Sequence, residues 1–193
     1  VCKKLFLASD KRIADTISSV TIRCDMPTEK RLQRIQEVQN NRQSDIVLVL
    51  EDVWDPHNAE AIFRSCDAFG IQSIYLLFQD QEPYDPLAQG RRSSASAHKW
   101  LDFHIFHSSV EGIDHLKSQG FTCLATSLKE TSDSIYDTQL FDPSVSDKLA
   151  IFLGNESKGL SQIALEKCDY SIQIPMRGMV QSLNVSVTAG ILL

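Results

Sequence analysis

The feature that most constrains this chain is an alternation: short, continuous apolar runs, each followed by a polar stretch whose apolar residues recur at helical spacing. The run DIVLVLEDV (strand over 46–53) is β-branched and Leu-rich throughout, the pattern of a strand buried on both faces. In DPHNAEAIFRSCDAFG, Asp55 is placed to cap a helix and Pro56 to open it. Ile62, Cys66 and Phe69 form its apolar stripe, and Gly70 stops it. The alternation continues with strands over 73–78, 103–107, 122–128, 149–156 and 170–176. Helices are expected around 109–119, closed by Gly120, around 160–168, and from Leu183 or Asn184 onward. Strands alternating with helices of about three turns imply β-α-β crossovers and hence a parallel sheet covered on both faces. The fold class is α/β.

Ahead of the first strand, Leu32, Ile35 and Val38 follow a Thr28 cap at helical spacing. Residues 1–45 therefore read as a basic helical extension and 46–193 as the main domain. Residues 1–42 hold nine Lys/Arg against five Asp/Glu, although the whole chain of 193 residues carries a net charge of −6. A basic arm on an acidic body is compatible with RNA contact by the arm, and equally with a solvated amphipathic helix. VSVTAGILL ends inside an apolar helix without a cap, so a continuation is expected after it.

Several classes are disfavoured. No apolar run approaches the roughly 20 residues of a membrane span, and VCKKLFLASDKR lacks the apolar core of a signal peptide. Five scattered cysteines without C-x-x-C suit a reducing cytoplasm better than a disulfide framework or a zinc site. GNESKGL has two glycines at phosphate-loop spacing, but Leu160 and Ser161 follow where Lys and Ser/Thr are required. No G-x-G-x-x-G, H-E-x-x-H or G-x-S-x-G is present, and His104 and His107 fall on opposite faces of an expected strand, a poor metal pair.

Three strand ends are polar and turn-rich: EDVWDPHN, LGNESKGLS and PMRGMVQSLN. Ligands of open α/β sheets bind at such carboxyl ends. The residues left there, Asn58, Arg64, Asn155, Glu156, Ser182 and Asn184, suit positioning a polar substrate more than attacking it. In the third corner, Pro175 is expected to end the strand and Gly178 to allow a tight reversal.

PHNAEAIFRSCDAFG, LGNESKGLS and IPMRGMVQSLNVSV, in this order and separation, resemble the three motifs of the TrmH (SpoU) group of the SPOUT superfamily. These are S-adenosylmethionine-dependent RNA ribose 2′-O-methyltransferases. The resemblance spans roughly residues 28–193, and RIQEVQNNRQSD is similar to the branch that acts on the D-loop guanosine of tRNA. It implies a parallel-sheet SPOUT domain whose C-terminal part is tied in a deep trefoil knot, working as a cytoplasmic homodimer without a metal. Carried over by position, Arg64, Asn58, Glu156, Ser182 and Asn184 are the catalytic set. Thr126, Gly154, Asn155, Ile174, Met176 and Leu183 are the cofactor positions, largely through main chain.

Each residue also has a plainer role open to it. Arg64 has Glu60 and Asp67 one turn away and could form a surface ion pair. Asn58 could be a first-turn helix residue, and Ser182 or Asn184 an N-cap. QGRRSSASAHKW offers Arg91, Arg92 and Lys99, with Trp100 beside them, for RNA phosphates and stacking, or is simply a solvated loop. An alternative substrate is ribosomal RNA or another tRNA ribose, and a different class is a knotted RNA-binding protein without catalysis.

Overall fold

The computed structural model describes residues 28–89, 97–142 and 146–193. The chain divides into a unit ending at Gln39 and a second from Asn40 to Leu193. In the first, α1 (Glu29–Asn40) forms as its apolar spacing predicts, opened by Thr28, whose carbonyl accepts from the Arg31 amide at 2.8 Å.

The second unit is built on seven strands: β1 (Ile46–Glu51), β2 (Ser73–Leu77), β3 (Asp102–Phe106), β4 (Thr122–Thr126), β5 (Asp133–Ser134), β6 (Leu149–Leu153) and β7 (Tyr170–Gln173). Their order is β3-β2-β1-β6-β4-β7-β5, and every pairing is parallel. The expected α/β class with a parallel sheet is what forms. Helices α2 (Pro56–Phe69), α3 (Pro86–Gln89), α4 (Ser109–Ser118), α5 (Gln162–Lys167) and α6 (Val185–Leu192) connect or follow the strands, with a 3-10 turn over Ala97–Trp100.

The continuous apolar runs are explained by two cores, one on each face of the sheet. Leu48 and Leu50 of β1 point to one face with Ile74, Leu76, Ile151 and Leu153, beneath Ile62 and Phe63 of α2 and Ala189 of α6. Val47 and Val49 point to the other with Leu77, Cys123, Ala150 and Phe152, beneath Ile113 and Leu116 of α4 and Ala164 of α5. Alternate residues of one strand are thus buried on opposite sides, which removes the polar face that a half-exposed strand would show. Cys66, Cys123 and Cys168 are free thiols; burial pushes those of Cys66 and Cys123 up to about 12.

The caps of α2 follow the sequence pattern. Asp55 accepts from the His57 amide at 2.9 Å, and Gly70 takes the left-handed conformation with φ of 84°. A Cβ there would also sit 2.6 Å from the Asn41 carbonyl oxygen.

The strands end earlier than their apolar runs suggest. Those read over 122–128, 149–156 and 170–176 stop at Thr126, Leu153 and Gln173. Those read over 46–53, 73–78 and 103–107 stop at Glu51, Leu77 and Phe106, so His107 lies beyond its strand. The two-residue β5, paired through Asp133 with Ile172 and Ser134 with Gln173, is too short to show any period in sequence.

Candidate active site

The early strand ends coincide with a cavity. Just beyond the carboxyl ends of β4, β6 and β7, the chain encloses about 400 Å³, within the size range of small-molecule sites, about 300–1,000 Å³. Its wall includes all six residues expected to hold the cofactor, Thr126, Gly154, Asn155, Ile174, Met176 and Leu183, together with Glu156, Ser182 and Asn184 of the expected catalytic set. Leu153, Leu160 and Ile172, all buried, supply an apolar floor. Residues such as Leu128, Ile174 and Met176 extend the apolar runs because they line the cavity, not because they continue the sheet.

The wall after β6 is locked. Asn155 and Gly159 exchange main-chain hydrogen bonds at 3.0 and 2.8 Å, and Gly159 turns the chain at φ of 71°. The Asn155 side chain accepts from the Ser157 and Lys158 amides at 2.9 and 3.1 Å and donates to the Asp52 carbonyl at 2.8 Å. Its amide is therefore committed to bracing the turn. A Cβ on Gly154 would lie 2.2 Å from the carbonyl carbon of Gly159 and from the Leu160 nitrogen, closer than atoms can approach. Thr126 likewise spends its hydroxyl on the Phe152 carbonyl at 2.8 Å. The side chains of Thr126 and Asn155 are thus committed within the protein, and a ligand here rests on the apolar floor of Leu153, Leu160 and Ile172.

At the edge of this cavity a polar network joins three parts of the chain. Glu156 accepts from the Trp54 and Asp55 amides at 3.1 and 3.2 Å and from Asn58 Nδ2 at 2.9 Å. Asn58 Oδ1 accepts from Asn184 Nδ2 at 2.9 Å. Asn184 in turn caps α6, its Oδ1 accepting from the Ser186 amide at 2.8 Å. Asn58 and Asn184 thus do fill the helix-start positions open to them, and the same amides tie α2 and α6 to the β6 loop. For Glu156, burial alone would raise the pKa, but the hydrogen bonds from Asn58 and from main-chain amides outweigh it. Its carboxyl is held below the ordinary 4.5. Glu156 is accordingly a poor proton acceptor and a good anchor.

Other expected site residues are not drawn into the network. Arg64 lies exposed on α2 and forms no ion pair among the described residues. Asp67, one of its two helical neighbours of opposite charge, pairs instead with Arg42 at 2.6 Å. Ser182 is exposed at the cavity wall. Lys99 is exposed in the 3-10 turn, while Arg91 and Arg92 fall outside the described residues, as does the basic segment before Thr28. Gly178 is not in the left-handed region and has open space around it, so the expected need for glycine at a tight reversal does not arise.

Two residues that the sequence did not single out stand at the end of β1. Glu51 is 1% exposed and accepts hydrogen bonds from Ser109 and Ser161. Asp52 takes φ of 50°, and its carboxylate accepts from the amides of Gln79, Asp80 and Gln81 at 2.9 to 3.1 Å. Their partners lie far along the chain, so no local spacing announces them.

Fold and site together define an α/β domain that holds a small molecule at the carboxyl ends of its strands, beside the point where the strand order reverses. The chain belongs to the SpoU rRNA Methylase family, whose pattern matches residues 45–193. It is 38% identical over 166 residues to a tRNA (guanosine(18)-2′-O)-methyltransferase of Thermus thermophilus, covering 86% of this chain and 81% of that enzyme. The structure of a TrmH/SpoU tRNA modifying enzyme from Aquifex aeolicus superposes with a TM-score of 0.72 at 34% identity, covering 84% of this chain and 79% of that one. A SpoU methyltransferase from Streptomyces viridochromogenes, solved in complex with the cofactor AdoMet, superposes at 0.62 with 26% identity, covering 77% of this chain and 56% of that one.

Proposed function

We propose that this protein is an S-adenosylmethionine-dependent RNA ribose 2′-O-methyltransferase acting on guanosine-18 in the D-loop of tRNA. The observation that carries the proposal is the Glu156–Asn58–Asn184 network at the edge of a cavity lined by all six expected cofactor positions. The tRNA assignment rests on the Thermus thermophilus relative. The proposal includes a cytoplasmic homodimer, a domain over 46–193 with its C-terminal part tied in a deep trefoil knot, and residues 1–45 as a basic helical extension that meets RNA. Arg91, Arg92 and Lys99 would add phosphate contacts.

The cavity fits S-adenosylmethionine in volume and in lining. Bound there, the cofactor supplies an electrophilic methyl group on a sulfonium, so the protein's task is alignment and activation of a hydroxyl. Glu156 fixes Asn58 and Asn58 fixes Asn184, so these amides present a rigid polar edge to the ribose, joined by Ser182 from the unbraced loop beside it. Arg64, which pairs with no carboxylate among the described residues, serves as a positive charge against the 2′-oxygen or the neighbouring phosphate. A guanidinium stays protonated at neutral pH, so it stabilises developing alkoxide and does not remove the proton.

Incubation with unmodified tRNA and methyl-labelled S-adenosylmethionine, followed by mapping of the ribose methyl, tests the proposal. Label at the D-loop guanosine supports it. Label in ribosomal RNA alone would overturn the tRNA assignment, and no label in either would leave a binding protein. Arg64→Ala is expected to reduce transfer at least about 100-fold, as for loss of one charge-stabilising donor. Cofactor affinity should stay near wild type, because Arg64 is not part of the cavity wall. Retained turnover would remove Arg64 from the chemistry.

A further inference from the structure

The locked loop after β6 raises the question of what holds it to the sheet. Its start is fixed through Asn155, which donates to the carbonyl of Asp52. Its far end is fixed one residue earlier on β1. The Ser161 amide donates to Glu51 Oε2 at 2.7 Å, and the Ser161 hydroxyl donates to Oε1 at 2.8 Å. Ser161 in turn is the N-cap of α5, its Oγ accepting from the Ala164 amide at 3.1 Å. Leu160, immediately before it, is buried in the cavity floor. A third donor reaches Glu51 Oε1 from another element, the hydroxyl of Ser109 at the start of α4.

A carboxylate that is 1% exposed, with hydroxyls and an amide as its only bonded partners among the described residues, is an expensive way to fill that space. Burial of a charge without an opposite charge costs free energy that an apolar residue of similar volume would not incur. What the carboxylate provides and an apolar side chain does not is two acceptor oxygens aimed at one serine. That fixes Ser161 in direction as well as in distance.

We propose that Glu51 is a positioning residue for cofactor binding: with the carbonyl of Asp52 it clamps both ends of loop 155–161, so that the last residue of β1 and the residue after it set the shape of one cavity wall. The inference rests on the cavity being the S-adenosylmethionine site. Glu51 touches no part of that cavity itself; it acts through Ser161 and Leu160.

The clamp separates two serines that bind one carboxylate. Ser161 carries the loop, whereas Ser109 belongs to α4, outside the loop. Calorimetric titration of the whole chain with S-adenosylmethionine, paired with thermal melting of each variant, distinguishes them. Glu51→Ala and Ser161→Ala should weaken binding about tenfold or more, the loss expected for freeing a buried hydrogen-bonded anchor. Ser109→Ala should lower the melting temperature yet leave affinity within about threefold, and Glu51→Gln, which keeps an acceptor for the Ser161 amide, should restore it to the same range. Equal weakening by Ser109→Ala and Ser161→Ala would reduce Glu51 to a general stabiliser and overturn the clamp. So would a folded Glu51→Ala protein with wild-type affinity. If Glu51→Ala does not fold, the contrast between the two serines decides alone. Wild-type protein that binds no S-adenosylmethionine would overturn the proposed function, and the clamp with it, whereas wild-type binding with unaffected variants would overturn only the clamp.

Discussion

The two loops that face each other across the cavity are built on opposite plans. The loop after β6, residues 154–161, is crossed by main-chain bonds between Asn155 and Gly159, braced by the Asn155 side chain and held by Asp52 at one end and Glu51 at the other. The loop after β7, from Pro175 to Leu183, forms no hydrogen bond among the described residues; Met179 is fully exposed and Val180 61% exposed. Both contribute wall to the same cavity. A preset wall binds without paying to order itself, while an unbraced wall gains its contacts only when a ligand supplies them. The pairing of one fixed and one unfixed wall lets a site combine geometric precision on one side with entry and closure on the other.

If the β6 loop is the fixed wall, its disruption should produce the largest effects. Gly154→Ala drives a Cβ to 2.2 Å from main-chain atoms of Gly159 and Leu160, so the turn must open. The expected cost is about 2–3 kcal/mol of stability, visible in denaturant unfolding, together with loss of measurable cofactor binding. A Gly154→Ala protein that binds normally would break the contrast at its strongest point.

Next in size is the junction between the walls. Glu156→Ala removes the acceptor of three hydrogen bonds and frees Asn58 and, through it, Asn184. Methyl transfer should fall about 100-fold in a steady-state assay, with a smaller change in cofactor affinity. A milder version is set by pH. Because the folded Glu156 carboxyl titrates below its ordinary 4.5, its contribution is fully present above that value and is lost as pH falls through the lowered folded one. Cofactor affinity should therefore be flat from neutral pH down to that range and decline only in stronger acid. Glu156→Gln should abolish this decline; a decline of the same form in the variant would assign it to another group.

The smallest effect belongs to the unfixed wall. Gly178 has neither a left-handed φ nor any atom near the place where a Cβ would stand, so Gly178→Ala should change stability by less than about 0.5 kcal/mol. The two glycines, 24 positions apart and on facing loops, would thus differ by several-fold in their tolerance of one methyl group.

The same two glycines show what a sequence can and cannot disclose. Parallel strands buried on both faces leave a signal in every residue, which is why β1 and β6 are readable as DIVLVL and LAIFL. The capping of α2 by Asp55 and its stop at Gly70 are equally local and equally readable. Strand ends are not, because a cavity floor and a sheet core demand the same side chains; Ile174 and Met176 look like strand whether they pair or line a pocket. Gly154 is required by Gly159 and Leu160 across the loop, whereas Gly178 looked necessary from its neighbours and is not. Glu51 falls in the polar strand end EDVWDPHN, but nothing local distinguishes it there, since its partners Ser109 and Ser161 stand 58 and 110 residues away. The candidate site residues were found through three motifs rather than through periodicity, and the structure gathers most of them while leaving Arg64 outside the network.

Hydrogen–deuterium exchange with and without S-adenosylmethionine separates the fixed wall from the unfixed one. Strong new protection is expected across residues 176–183 on addition of the cofactor, with little change across 155–161, where the amides of Asn155, Ser157, Lys158, Gly159 and Ser161 are already bonded. No protection at either loop, or protection confined to 155–161 with 176–183 unaffected, would contradict that contrast.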